Sequence, residues 1–223
     1  MAASLRLVLF GAPGAGKGTQ AQLLKEQLGV PHISSGDLFR HHLRQGTPLG
    51  VRVAQYINQG LLVPDEVTID IILERVLSVP GDEGFILDGF PRNLRQSEAL
   101  AGALAGQARG LDKVVYVNVP EEELLRRLGG RFTCRQCQAP YTITDAGPNA
   151  DLGCSRCGGE LFQRPDDNPA AVRTRIEVYQ RETLPLLGFY RQRGLLVDIP
   201  GVGSIDDVNQ RVLAALGWEA VPG

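Results

Sequence analysis

A nine-residue stretch near the start of the chain, Gly11-Ala12-Pro13-Gly14-Ala15-Gly16-Lys17-Gly18-Thr19, constrains the fold more than any other. It follows directly on the apolar run at residues 5–10 (LRLVLF) and leads at once into a helical pattern that ends at Gly29. A strand, a glycine-rich turn with a lysine and a helix N-terminus together form a layout that cradles phosphate. The glycines let backbone N–H groups turn inward on an anion, and the helix terminus adds partial positive charge. Lys17 adds a full positive charge, so the stretch implies a nucleoside triphosphate site. The common pattern has Ser or Thr directly after the lysine, within reach of the nucleotide's magnesium. Here Gly18 holds that position and Thr19 follows it.

Strand-like apolar runs recur at residues 5–10, 30–33, 85–88, 113–119 and 195–199, with helical patterns between them. That alternation predicts an α/β fold whose five parallel strands are covered on both faces, with ligands gathered at the strands' carboxyl ends. The glycine loop, Asp88 and the segment after Ile199 all lie at such ends. Residues 35–63 read as two short helices broken by Gly46-Thr47-Pro48 and closed by Gly60. A helix is expected from Pro120-Glu121-Glu122-Glu123, another from Asn93, and a last one capped by Ser204 and Asp207. The helix starting at Asn168-Pro169 is expected to be interrupted by Pro185 and Gly188.

Composition narrows the class further. With 43% hydrophobic and 22% charged residues, net charge −2 and pI near 5.9, the chain fits a soluble globular protein and lacks a basic nucleic-acid footprint. With a strand expected from Leu5, no leader is expected, and no run approaches the ~20 apolar residues of a membrane span. A cytoplasmic protein is expected. Three lysines stand against twenty arginines, which makes the lysine of the glycine loop conspicuous.

All four cysteines fall in one block, as Cys134-x-x-Cys137 and Cys154-x-x-Cys157 with sixteen residues between the pairs. The spacing suits a tetrahedral four-thiolate zinc site, structural because no coordination position stays open. Two disulfides, a redox pair or a nucleic-acid-binding ribbon are the competing readings. The lack of a secretory signal, the pairing of the two knuckles and the acidic chain weigh against them in turn.

Ordered motifs then accumulate: GAPGAGKGTQA at 11–21, ISSGDLFR at 33–40, GLLVPDE at 60–66 and LDGFPR at 87–92 with Gln96. After these come GGR at 129–131, the two cysteine pairs, QRPDDN at 163–168, and Arg175. In these the chain resembles adenylate kinase, in the long form whose lid carries zinc, over almost its whole length. Glycine then threonine after the loop lysine is a mark of that family.

The resemblance implies a P-loop fold with a core at 1–33, 64–125 and 168–223, a helical insert for the nucleoside monophosphate at 34–63, and a zinc-binding lid at 126–167. It implies reversible transfer of the γ-phosphoryl of magnesium-bound ATP to AMP, giving two ADP, by a monomer without nucleic-acid or membrane partners. Lys17, Arg92, Arg131, Arg164 and Arg175 are the implied catalytic residues. Gly14, Ala15, Gly16, Lys17, Gly18, Thr19, Arg127, Arg131, Pro140, Tyr141 and Gly203 would meet ATP. Ser35, Arg40, Leu61, Leu62, Val63, Gly89, Phe90, Pro91, Arg92, Gln96, Arg164 and Arg175 would meet AMP. Asp88 would hold Mg2+ through water, and Cys134, Cys137, Cys154 and Cys157 would hold Zn2+.

Some residues keep two readings. Asp166 and Asp167 either clasp arginines or cap the helix at Asn168; Gln96 either reads adenine or serves a helix start with Asn93. Pro140 stands where relatives often carry a hydroxyl, and it offers neither hydroxyl nor N–H. Gln138 replaces a common glycine after the second cysteine. His32, His41 and His42 are expected to be structural or exposed, since transfer to an anionic phosphate needs no general base. Another nucleoside monophosphate kinase, such as a GTP:AMP phosphotransferase, or a non-catalytic nucleotide-binding module are the alternatives.

Overall fold

The computed structural model describes residues 4–142 and 153–218. Residues 1–3 and 219–223 of the expected core, and 143–152 of the expected lid, lie outside the described residues. Five parallel strands form the central sheet: β1 (Arg6–Phe10), β2 (His32–Ser34), β3 (Phe85–Asp88), β4 (Lys113–Asn118) and β8 (Leu196–Pro200), in the order β2-β3-β1-β4-β8. Both faces of β1 are buried, as its unbroken apolar run requires. Leu7 and Leu9 pack with Leu24, Val115, Val117 and Val212 on one side. Val8 and Phe10 pack with Ile72, Phe85, Leu87 and Leu100 on the other.

Helices cover the sheet. α1 (Lys17–Leu28) begins at Gly16, whose φ is +90°, and ends at Gly29, where φ is +70° and the N–H donates to Lys25 O at 3.0 Å. No side chain caps the N-terminus of α1. α2 (Ser35–Arg44) and α3 (Pro48–Asn58) form the helical block, capped by Ser34 and Thr47, and they pack on Phe39, Val53 and Val63. α4 (Asp65–Leu77), α5 (Leu94–Ala105) and α6 (Glu121–Gly129) follow. Asn93 caps α5, and Ser204 with Asp207 makes a full capping box on α9 (Ile205–Ala215), each a cap that typically contributes about 1 kcal/mol.

The cysteine block is a three-stranded antiparallel sheet in the order β6-β5-β7, formed by β5 (Arg131–Cys134), β6 (Pro140–Thr142) and β7 (Leu161–Phe162). Among the described residues its apolar interior consists of Cys134, Ala139 and Cys154, with Tyr141 and Leu161 against them. Apolar packing alone cannot stabilise so small a unit.

The return to the core differs from expectation at Gly188. α7 (Pro169–Val178) runs into a π turn at Tyr179–Thr183, and α8 (Leu186–Gln192) then carries Gly188 inside it. Leu186 and Tyr190, each 3% exposed, pin that helix to the core on either side of the glycine. Their burial outweighs the ~1 kcal/mol helix cost of one glycine. Pro185 does mark the break, at the cap of α8.

Candidate active site

The register of the sheet gathers the site. Leu9 lies opposite Asp88 across the β1–β3 pair, so the glycine loop leaves β1 where Asp88 closes β3. A Cβ on Gly18 would meet Asp88 Oδ2 at 3.5 Å, which puts the carboxylate beside the loop. At Gly14 the backbone has φ +85°, and a Cβ would meet Leu128 Cγ at 2.9 Å, so both the turn and the approach of α6 require glycine.

Lys17 reaches back over its own loop, its ammonium donating to Gly11 O at 2.8 Å and Ala12 O at 3.0 Å. Burial, opposed by Asp88 and reinforced by Arg92, Arg175 and Arg131, lowers its pKa to about 8. Asp88 moves below its usual range despite burial, because His32 and Lys17 favour the carboxylate. His32 Nε2 lies 3.8 Å from Asp88 Oδ2. Nothing in the sequence singled out His32 as the neighbour of Asp88. The only signal is that β2 runs parallel to β3 with Ser34 opposite Asp88.

A second group of residues lines one cleft: Ser35, Arg40, Leu61, Leu62, Val63, Gly89, Arg92, Gln96, Arg164 and Arg175. All ten were expected around an acceptor nucleotide, and Gly36, Phe39 and Asp166 join them. Phe90 and Pro91, expected there too, are instead buried, Phe90 in the core beside Phe85 and Leu100. The side chains of this pair hold the loop rather than face the cleft. Ser35 Oγ donates to Gly89 O at 2.7 Å and Arg92 Nε to the same carbonyl at 2.8 Å.

Gln96 is 1% exposed; its Oε1 accepts from Arg92 N at 2.8 Å and its Nε2 donates to Asp65 Oδ1 at 2.7 Å. The helix cap there comes from the Asn93 side chain, so the carboxamide of Gln96 fixes Arg92 and α4 while lining the cleft.

Cations crowd this space. Burial lowers the pKa of Arg40 and Arg92, and it lowers that of Arg175 to about 10. Arg164 lowers Arg40 further, Arg40 lowers Arg92, and Arg131 lowers Arg175. Two acids answer them from the segment that leads from the cysteine block back to the central sheet. Asp167, whose side chain has no exposed surface, pairs with Arg131 and with Arg175 at 3.0 Å; Asp166 pairs with Arg164 and with Arg175 at 3.1 Å. Burial would raise the Asp166 carboxyl, yet Arg164 and Arg175 hold it near 2. Asn168, not either aspartate, caps α7 by accepting from Ala170 N and Ala171 N at 3.0 Å. The arginine-clasping reading of Asp166 and Asp167 therefore holds.

Other expected contacts lie further out. Arg127 donates to Glu123 at 2.7 Å and to Gly201 O at 3.0 Å, tying α6 to the segment after β8 where Gly203 turns with φ +124°. Pro140 is exposed at a strand edge, where a missing N–H is tolerated. The Tyr141 hydroxyl turns to the cysteines, 3.1 Å from Cys154 Sγ and 3.0 Å from Ser155 Oγ.

The four cysteine sulfurs all lie within 4.8 Å of one another, with Cys134–Cys157 and Cys137–Cys154 at 3.5 Å. A disulfide needs about 2.05 Å, whereas four thiolates about 2.3 Å from one tetrahedral centre sit roughly 3.8 Å apart. The set therefore fits a single zinc ion. Gly159 packs on it closely, since a Cβ there would meet Cys134 Sγ at 3.0 Å.

Comparison with known proteins agrees with this geometry. Residues 9–195 match the family model described as adenylate kinase. The chain is 47% identical over 210 residues to an adenylate kinase of Dehalococcoides mccartyi, covering 94% of this chain and 97% of the relative. An adenylate kinase of Moorella thermoacetica is 48% identical over 217 residues, covering 96% and 100%. One from Methanocella arvoryzae is 47% identical over 212 residues, covering 95% and 98%.

Proposed function

The chain belongs to the adenylate kinase family, and from that premise we infer that it transfers the γ-phosphoryl of ATP to AMP, reversibly, giving two ADP. The observation that carries the reading is the meeting of Arg40, Arg92, Arg164 and Arg175 over one cleft, with Lys17 and Arg131 within electrostatic reach of them. Burial and neighbouring cations disfavour the charged forms of Lys17, Arg40, Arg92 and Arg175, which costs free energy in the protein alone. A polyanion shared between two nucleotides offsets that cost.

The chemistry asks for little more. An oxygen of the AMP phosphate, already anionic, forms the new bond to the γ-phosphorus while the bond to the bridging oxygen of ATP breaks, and ADP leaves with that electron pair. No side chain has to remove a proton. Lys17 and the loop N–H groups at residues 14–19, with the uncapped N-terminus of α1, hold the donor phosphates. Arg40 and Arg92 grip the acceptor phosphate. Arg131, Arg164 and Arg175 spread charge over the transferring group, and Asp166 and Asp167 keep those three guanidiniums aimed. Leu61, Leu62, Val63 and Gln96 shape the acceptor base pocket.

Magnesium bound with ATP would offset phosphate charge, and Asp88, beside Gly18, is the residue that would hold it through water. Zinc held by Cys134, Cys137, Cys154 and Cys157 supplies stability to the lid and takes no part in the transfer. The segments 34–63 and 126–167 are assigned as the acceptor insert and the lid, with 1–33, 64–125 and 168–223 as the core. On the donor side, Arg127, Gly203, the exposed face of Pro140 and the ring of Tyr141 border the ATP base. Among the described residues no helix is long and apolar enough to cross a membrane. A cytoplasmic monomer, with no nucleic-acid or membrane partner, is the form that fits this reading.

A panel of donors (ATP, GTP) and acceptors (AMP, GMP, CMP, UMP) with magnesium tests the assignment. ATP with AMP is expected to give the highest kcat/KM. A preference for another acceptor, or for GTP as donor, would move the protein to a neighbouring specificity. Tight nucleotide binding with no turnover would make it a binding module.

A further inference from the structure

Gln138 stands in the turn that follows the second cysteine, with φ +60°, a region where a non-glycine residue carries strain. Ala108 is the only other non-glycine residue among the described residues with positive φ. A glycine would adopt this turn at no cost, so the glutamine side chain has to offset the strain. Its Nε2 donates to Cys134 O at 3.1 Å and to Arg135 O at 2.9 Å. Those two bonds use both amide protons and fix the carboxamide's orientation, which leaves Oε1 facing outward. There it accepts from Arg44 Nη1 at 3.1 Å, a bond spanning 94 residues from the cysteine turn to the last turn of α2. Neither Arg44 nor Gln138 is among the residues that line the acceptor cleft.

We propose that Gln138 is a positioning residue, whose carboxamide latches the cysteine-bearing lid onto the acceptor insert through Arg44 and so favours the arrangement that encloses both nucleotides. This rests on the phosphotransfer reading above. The bond joins the two segments that must come together for transfer, and it does so outside the catalytic arginines. Bound nucleotide therefore need not supply all of the closing free energy.

The test is a double-mutant cycle with Q138G, R44M and the pair, with Q138N as a control that tolerates positive φ but carries a shorter side chain. A hydrogen bond from a charged donor at an exposed site corresponds to a few-fold effect. Each single variant is expected to raise KM for both ATP and AMP about threefold with kcat undiminished, and the double variant to match the singles. Q138G keeps its zinc content and folds at least as well as wild type, because glycine relieves the turn. Amide hydrogen exchange of the nucleotide-free protein gives a readout without turnover: R44M should speed exchange in the cysteine turn, and Q138N in the last turn of α2. Additive effects, KM values within 1.5-fold of wild type, or a fall in kcat alone would overturn the latch. If R44M and Q138N exchange as described but wild type transfers no phosphate, the kinase reading fails and the latch stands. If wild type transfers phosphate but the exchange is not reciprocal, the latch fails and the kinase reading stands.

Discussion

Lys17→Met separates function from folding at the residue on which the site depends most. In the nucleotide-free protein, partial burial beside Arg92, Arg131 and Arg175 lowers the Lys17 pKa from its ordinary 10.5 to about 8. The folded state therefore binds fewer protons than the unfolded state between those values, and stability contributed by this group rises with pH across that window. Below pH 8 the full cost of the buried charge remains. The displacement corresponds to about 3 kcal/mol, and discounting for the exposed part of the side chain leaves about 1–2 kcal/mol. Methionine keeps the length and removes the charge, but forfeits the bonds to Gly11 O and Ala12 O, about 1 kcal/mol together. The net change at pH 7 should lie between 0 and about +1 kcal/mol. Turnover should fall by about 10³-fold or more, the scale of losing one preorganised charge from the transition state. Urea unfolding of both proteins at pH 7 and pH 9.5, with turnover measured on the same samples, gives both quantities. Between those pH values wild type should gain about 1 kcal/mol relative to Lys17→Met. A loss of more than about 2 kcal/mol at pH 7 with a parallel loss of turnover would make Lys17 a structural residue. Turnover within threefold of wild type would remove it from the mechanism.

Three further outcomes are expected. Asp167→Asn leaves Arg131 and Arg175 short of a fully buried partner and should cost about 3 kcal/mol by urea unfolding, with KM and kcat both impaired; a loss under about 1 kcal/mol would contradict it. Asp166 has its carboxyl held near 2, so it contributes stability that is present above its ordinary value of 3.8 and lost as pH falls through 2. Asp166→Asn should remove about 2 kcal/mol of that acid-dependent stability, read as a shallower loss between pH 4 and pH 2. Metal analysis should find one zinc per chain. Stripping it with a chelator should lower Tm and raise amide exchange in β5–β7 before the central sheet; a lid that stays protected without zinc would refute the structural role.

What the sequence disclosed follows from where burial leaves a pattern. β1 and β4 are parallel strands buried on both faces, so LRLVLF and KVVYVNV read as unbroken apolar runs and were placed to within a residue or two. The strands β5, β6 and β7 of the cysteine block carry four, three and two residues and alternate with cysteine-bearing turns, so no period has room to show. Gly188 read as a break because local propensity is visible in sequence and the anchoring of Leu186 and Tyr190 is not. In the site, the ten cleft residues came from motif resemblance, whereas Phe90 looked like a contact and turned out to be core. Tyr141 stands out in the sequence only as an ATP contact implied by resemblance, and Gln138 only as the replacement of a common glycine after a cysteine. That the Tyr141 hydroxyl turns to Cys154 and the Gln138 amide to Arg44 depends on distances between segments far apart in the chain.

What sets this protein apart from a nucleotide hydrolase is direct transfer from one bound nucleotide to another. Phosphorus NMR of the purified protein with magnesium, ATP and AMP tests it in a single time course. The account predicts that the ATP γ signal and the AMP signal decline together while ADP grows at two per ATP consumed, with no inorganic phosphate. An unchanged spectrum, or γ-phosphate appearing as inorganic phosphate with AMP intact, would contradict it.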